Sequence, residues 1–182
     1  LNDHNAGTWS GVAEGMIYAV DHHANVIVLS LGSKMKSKII EDAVNYAIAH
    51  NVLIVAAAGN ANSSENFYPA AFAGVLGVGA TGRNDERWSL SNYGDFVDVT
   101  APGDSVYSTY NNLAQPDGGY TFLSGTSMAT PHVAGLAGLL FSQEPTRTIT
   151  DVVRLIETTA VDLGEQGPDA KFGYGRIDPL AA

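Results

Sequence analysis

The chain has 182 residues, 45% of them hydrophobic, and it contains no cysteine. This length is enough to bury a sizeable core, and the lack of cysteine excludes disulfides, thiolate zinc sites and cysteine nucleophiles. A net charge of -10 argues against a nucleic-acid surface and is compatible with a solvated acidic face or with cation binding. The apolar run VAGLAGLLF at 133–141 is too short to span a bilayer, so we expect no membrane partner.

The first third of the chain shows two helix-and-strand patterns. Thr8 and Ser10 can cap a helix with apolar residues at helical spacing, and the run VIVLSLG at 26–32 predicts a strand covered on both faces. Ser37 is expected to open a second helix, which Asn51 ends, and VLIVAAAGN then forms a second buried strand. This alternation predicts right-handed crossovers and a parallel sheet flanked by helices.

The loops that follow these strands are the expected ligand sites. In open α/β sheets, ligands bind at the carboxyl ends of the strands, so SLGS at 30–33 and AGN at 58–60 should line one crevice. Farther along, VLGVGA at 75–80 predicts a third strand, and 83–123 shortens into turns and small strands. Two helices should close the chain, at 127–143 and at about 149–159 behind Thr148.

A serine stands at the predicted start of the first of these helices, in SGTSMATPHVAG at 124–135. The unpaired amides and partial positive charge of a helix start suit a developing oxyanion, so Ser127 is a candidate nucleophile. Pro131 has no amide proton and leaves the Ser127 carbonyl without its helical donor. On this pattern alone, a capping serine on a buried helix remains the alternative.

Several ordered motifs add to this pattern. GTSMATPHVAG resembles the nucleophile motif of the subtilisin-like serine proteases, and SLG, AAAGN, the YP pair at 68–69, APG at 101–103 and GYGRID at 173–178 follow in that family's order. The resemblance implies that residues 1–182 are the C-terminal part of a single subtilase catalytic domain. The implied fold class is α/β, a three-layer sandwich with a mostly parallel sheet flanked by helices, incomplete at the N-terminus.

The resemblance also implies the reaction and its residues. Ser127 resembles the nucleophile of a serine endopeptidase that forms an acyl-enzyme, and Asn60 resembles the side-chain donor of the oxyanion hole. A fixed amide can donate to charge that appears only in the transition state. By the same resemblance, the expected substrate is a polypeptide bound as an extended strand. The implied substrate-binding residues are Trp9, Val12, Ser30, Leu31, Gly32, Ala57, Ala58, Gly59 and Phe67.

Phe67 bears on selectivity within that set. It comes just before the YP pair, near the floor of the first specificity pocket in the family. A ring there is expected to make the pocket shallow and to favour small or flexible side chains.

The other two members of a subtilase triad are missing from the sequence. The family's aspartate and histidine motifs, D-[ST]-G and H-G-T-H, do not occur. The five histidines are His4, His22, His23, His50 and His132, and none matches the family base. Asp3 and His4 fall on a substrate edge in the family frame, and we do not assign them as a dyad.

We therefore expect the chain to need a partner, an upstream segment or second chain that carries the aspartate and histidine. The alternative is an inert pseudoprotease or peptide-binding fragment. By resemblance alone, calcium is a candidate cofactor, bound by the carbonyls of Ala70, Phe72 and Val75 with Asp98 nearby. An extracellular location is also expected by resemblance alone, and no organic cofactor is expected.

Two other enzyme classes fit less well. A hydrolase with a G-x-S-x-G elbow needs a histidine after the serine in the chain, and none exists beyond His132. GVGATG at 77–82 matches the dinucleotide pattern G-x-G-x-x-G, but the residues after it show no helical apolar row.

Overall fold

A computed structural model describes residues 7–110 and 119–182. Its elements follow the predicted order of helices and strands. They are α1 (Trp9–Asp21), β1 (Val26–Leu29), α2 (Lys38–Ala49), β2 (Leu53–Ala57), β3 (Val75–Thr81), β4 (Val99–Pro102), β5 (Val106–Tyr110), β6 (Gly119–Leu123), α3 (Thr126–Gln143) and α4 (Ile149–Thr158).

Strands β1 to β4 form one parallel sheet in the order β1-β2-β3-β4. Val28 pairs with Val55, and Val55 pairs with Leu76, so the carboxyl ends of these strands meet at one edge. β1 lies at the side of the sheet, and Val28 is 43% exposed. Ile27 and Leu29 are buried on the face that α1 and α2 cover, so the expected cover is complete on that face only, and among the described strands β1 pairs with β2 alone.

Helices cover both faces of the sheet, as the α/β three-layer prediction requires. In β2, Ile54 and Ala56 join a core cluster with residues of α1 and α2. Leu53 and Val55 point the other way and join a cluster with residues of α3 and α4. The strict alternation along one buried strand thus separates two cores.

A two-stranded antiparallel sheet, β5 with β6, lies outside the parallel sheet. Its outer side carries exposed aromatic rings, with Tyr107 against Tyr120 at 5.4 Å and against Phe122 at 4.8 Å between ring centroids.

The glycine-rich stretch 77–82 is a strand and not a phosphate loop. β3 runs through it to Thr81, and the next described element is the strand β4. Since a dinucleotide fingerprint must open a helix, the interpretation that rejects this motif agrees with the structure. Among the described residues, no helix is both long and apolar enough to cross a membrane.

Candidate active site

Three segments meet at the carboxyl edge of the sheet. They are the residues after β1, the residues after β2, and the start of α3. The amide of Gly125 donates to the Gly103 carbonyl at 2.7 Å, which ties the start of α3 to the end of β4. The crevice predicted from SLGS and AGN therefore also receives the serine motif.

Ser127 is fixed to the end of β1 through Ser30. The Ser30 hydroxyl donates to the Ser127 carbonyl at 2.9 Å. Pro131 lies inside α3 and cannot donate to that carbonyl, so the Ser30 hydroxyl replaces the missing helical bond. The Ser127 Oγ lies 3.4 Å from the Ser30 carbonyl oxygen, so its contact is long and the hydroxyl is only loosely engaged.

Asn60 reaches the first residue of α3 from the loop after β2. Its Oδ1 accepts from the Thr126 amide at 2.9 Å and from Thr126 Oγ1 at 2.8 Å. Thr126 Oγ1 also accepts from the Gly59 amide at 3.1 Å, and Thr126 is fully buried. Two donors on Oδ1 leave only one orientation for the side-chain amide, with Nδ2 directed away from Thr126.

Two hydrogen-bond donors at the start of α3 have no acceptor within the described parts of the chain. These are the backbone amide of Ser127 and Nδ2 of Asn60. An ideal Cβ on Gly125 would lie 3.3 Å from that Nδ2, which places the Asn60 amide beside the residues that precede Ser127. Unpaired donors at a helix start are the kind of group that can stabilise an anion formed when a hydroxyl attacks a carbonyl.

Phe67 lies between 30–32 and 57–59, the two segments that contribute predicted substrate-binding residues and that we call the two walls. A Cβ built on Gly32 would lie 2.4 Å from Phe67 Cε1, and one on Gly59 would lie 3.1 Å from Phe67 Cδ1. Only glycines admit the half-buried ring this close to both walls. Ala57 and Ala58 are buried, so they can contribute no more than backbone to this wall.

Two of the predicted substrate-binding residues, Trp9 and Val12, belong to α1. Val12 and Leu31 line a cavity of about 360 Å³ between α1 and β1. Trp9 packs on the same core cluster as Val12 and Leu31 but does not line this cavity.

Among the described residues, no histidine forms a hydrogen bond with Ser127. His132 lines a cavity of about 410 Å³ together with Ser127, but its Nδ1 is bonded to the Met128 carbonyl at 2.9 Å. His22 and His50 are bonded in the same way to carbonyls four residues earlier in their own helices. Asp3 and His4 lie outside the described residues.

The residues predicted to bind calcium line one cavity of about 460 Å³, which contains Ala70, Phe72, Val75 and Asp98. Asp98 Oδ2 accepts from the Gly77 amide at 2.6 Å. Burial nevertheless raises the pKa of Asp98 to about 6, against the effect of that hydrogen bond. Carbonyl and carboxylate oxygens suit a hard cation, and a nearby cation would offset the burial of this carboxylate. The residues therefore fit a cation chemically. Backbone carbonyls would have to supply most of the ligands, because 7–110 and 119–182 contain no group of three His, Cys, Asp or Glu side chains that could hold a metal ion.

Comparison with known proteins identifies the family. The family model Peptidase_S8, the subtilase family, matches residues 1–175. The chain belongs to the subtilase family. This membership agrees with the order of motifs in the sequence and with the parallel sheet between two helical layers.

The relatives are named proteases. Thermitase of Thermoactinomyces vulgaris is 44% identical over 182 residues, which are 100% of this chain and 62% of thermitase. A thermophilic serine proteinase of Bacillus sp. strain AK1 is 45% identical, over 100% of this chain and 43% of its own length. The chain therefore spans less than two thirds of these relatives.

Solved structures show the same fold. The crystal structure of a lanthipeptide protease matches with a TM-score of 0.88 and 26% identity. The match covers 100% of this chain and 67% of the lanthipeptide protease chain. A protease from Pseudoalteromonas arctica has a TM-score of 0.86 and 32% identity, over 97% of this chain and 58% of its own.

Sequence reasoning missed two contributors to the site. The sequence motif predicts no role for Thr126, and the resemblance predicts only substrate binding for Ser30. The carbonyl that Pro131 leaves without its helical donor is the available signal for Ser30, because a backbone carbonyl takes another donor when its helical one is missing. Nothing local could have named that donor, which lies 97 residues away.

Proposed function

We propose that the chain is the nucleophile-bearing part of a subtilisin-like serine endopeptidase. The observation that carries the proposal is the pair of hydrogen bonds from Thr126 to Asn60 Oδ1, at 2.9 Å and 2.8 Å. These bonds hold the Asn60 side chain so that its free Nδ2 lies near Gly125, two residues before the candidate nucleophile Ser127. Capping of α3 uses only the Oδ1 acceptor of Asn60 and would not require its Nδ2 donor to stay free.

The proposed reaction forms and breaks an acyl-enzyme. A histidine base removes the Ser127 proton as Oγ bonds to the carbonyl carbon of the scissile peptide. The carbonyl oxygen becomes an anion that accepts from the Ser127 amide and from Asn60 Nδ2. The C–N bond then breaks, the leaving amine takes the proton from the histidine, and water hydrolyses the acyl-enzyme by the same sequence of steps.

The histidine and its aspartate come from an upstream segment or a second chain in this proposal. The motifs for both are absent from the sequence, and the chain matches only 62% of thermitase. β1 also pairs with β2 alone among the described strands, and its Val28 is 43% exposed. An apolar strand with one open side is suited to receive a further parallel strand.

The first test is labelling of Ser127. The chain should be produced together with the segment encoded immediately before Leu1 and treated with a fluorophosphonate. We expect labelling and peptide hydrolysis, loss of both in Ser127→Ala, and retention of both in His132→Ala. If the assembly binds peptides but Ser127 stays unlabelled, the chain is the inert binding fragment that remains the alternative.

We further propose that Phe67 restricts the first pocket to small or flexible side chains. The support is the ring position between Gly32 and Gly59. A peptide library should give a P1 profile of small residues for the natural enzyme, and Phe67→Gly should extend it to large aromatic residues. A natural profile dominated by large aromatics would contradict this proposal.

A calcium ion held by the carbonyls of Ala70, Phe72 and Val75 with Asp98 is a separate proposal. Bound there, the ion would supply positive charge to a buried carboxylate and cross-link the loop to β4. Calcium should raise the melting temperature of the natural protein and leave that of Asp98→Asn unchanged; an equal shift in both would exclude this site. The extracellular location stays a prediction from family resemblance. A signal peptide encoded upstream would support this prediction, and the lack of one would contradict it.

A further inference from the structure

A third asparagine, Asn92, holds the loop that carries Asn60, and within the described residues it forms no hydrogen bond with Asn60 itself. It is 1% exposed. Its Nδ2 donates to the Ala58 carbonyl at 2.8 Å, and its Oδ1 accepts from the amides of Ala61 at 2.9 Å and Ser63 at 3.1 Å. These contacts lie on both sides of Asn60 along the chain.

The backbone of Asn92 adds a fourth bond to the same loop. Its amide donates to the Gly59 carbonyl at 2.8 Å. A carboxamide is the side chain of this size that can donate at one end and accept twice at the other, so both of its ends are matched here. Aspartate could still accept but could not donate to Ala58, and alanine could do neither.

Gly59 shows how closely the loop approaches Asn92. It has φ +99, and a Cβ there would lie 2.5 Å from Asn92 Nδ2. The residue before Asn60 is thus confined between a left-handed backbone and the Asn92 amide. Rotation of the 58–63 loop would break several of these bonds at once, so the loop has little freedom to change the aim of Asn60.

We infer that Asn92 is a positioning residue for the reaction, which sets the aim of Asn60 Nδ2 by bracing residues 58–63 on both sides. The inference rests on the proposed function, in which Asn60 donates to the oxyanion. It goes beyond stability, because a loop displaced by a fraction of an ångström can stay folded while its donor misses the anion.

The test is a double-mutant cycle in the active assembly. Asn92→Ala should lower kcat by about 10- to 100-fold with little change in KM, since the donor acts in the transition state. In an Asn60→Ala background the same substitution should lower kcat less than about twofold, because the donor that it aims is already gone. A purely structural residue would show the same loss in both backgrounds.

Thr100→Val is the matched control. Thr100 is also fully buried and donates its hydroxyl to the Gly175 carbonyl at 3.1 Å, outside the 58–63 loop. It should lower the melting temperature and leave kcat unchanged. If Asn92→Ala does not fold, as judged by circular dichroism, Asn92→Asp enters the same cycle, because it keeps the acceptor side of the brace.

The outcomes separate this inference from the proposed function. If Asn60→Ala alone leaves kcat unchanged, the oxyanion role fails first. If Asn60→Ala lowers kcat but Asn92 variants that fold keep the natural kcat, or lose the same factor in both backgrounds, the positioning role of Asn92 is overturned and the proposed function stands.

Discussion

Asn60 and Asn51 both cap the start of a helix from a distant loop, but they use their amides differently. Asn60 Oδ1 accepts from the Thr126 amide of α3 at 2.9 Å, and Asn51 Oδ1 accepts from the Ile149 amide of α4 at 2.9 Å. Asn51 Nδ2 also donates, to the Arg147 carbonyl at 3.4 Å. Within the described residues, Asn60 Nδ2 donates to nothing.

The two helix starts differ in the same way. α4 has its own capping box, in which the Thr148 hydroxyl accepts from the Asp151 amide at 3.2 Å and Asp151 accepts from the Thr148 amide at 3.0 Å. α3 begins at Thr126, and the N-cap residue before it, Gly125, has no side chain to cap the helix. At the start of α4, local and distant contacts together pair the backbone amides. At the start of α3, donors near a serine stay unpaired among the described residues. Capping by a distant asparagine thus gives a structural helix start in α4 and a candidate reactive helix start in α3.

Replacing Asn60 should give the largest effect on turnover. Asn60→Ala should lower kcat by about 10² to 10³, the loss known for an oxyanion-hole donor in a subtilisin, because the transition-state anion loses one donor. Asn60→Asp should lose more, since it keeps the contact with Thr126 but places a negative oxygen near the anion. Steady-state kinetics on the active assembly measure both.

Asn51→Gly is the matched control for Asn60→Ala. Asn51 has φ 56, so glycine removes the amide without backbone strain. It should lower the melting temperature and leave kcat within about twofold of the natural value, as expected for a lost helix cap. Equal losses of kcat in the two variants would remove the distinction between the two helix starts.

Ser30→Ala should give a smaller loss of turnover. It removes the hydroxyl that donates to the Ser127 carbonyl at 2.9 Å and leaves that carbonyl without a partner at the helix start. We expect kcat to fall by about tenfold, because the position of Ser127 is less well defined. Ser30→Thr keeps a hydroxyl and should recover most of the turnover. If the threonine variant is as slow as the alanine variant, loss of the hydrogen bond is not the cause.

The contrast between the two helix starts also separates what sequence could predict from what it could not. Thr148 was predicted as the start signal of α4 because its cap residues are neighbours in the chain. The α3 start depends on Asn60 and Ser30, which follow other strands. The sheet rule predicted that the loops carrying these two residues share a crevice, but only the family motifs added the start of α3 to it. The elements and the parallel sheet followed from local periodicity. The open side of β1 did not, because pairing partners are a property of the whole fold.

Thr148→Ala should give the smallest effect on turnover, since the capping contacts of Thr148 involve none of the candidate site residues. Loss of the cap should lower the free energy of unfolding by about 1 kcal/mol at pH 7, with kcat unchanged.

Thr148 donates to Asp151 through hydroxyl and backbone and so lowers the pKa of that carboxyl. A lowered folded pKa gives stability that is present above the ordinary value and is lost as pH falls through the folded value. The difference between natural protein and variant should therefore shrink below about pH 4. Thermal unfolding followed by circular dichroism at pH 7 and pH 3 tests this, and a fall in kcat at pH 7 would mean that the start of α4 also shapes the site.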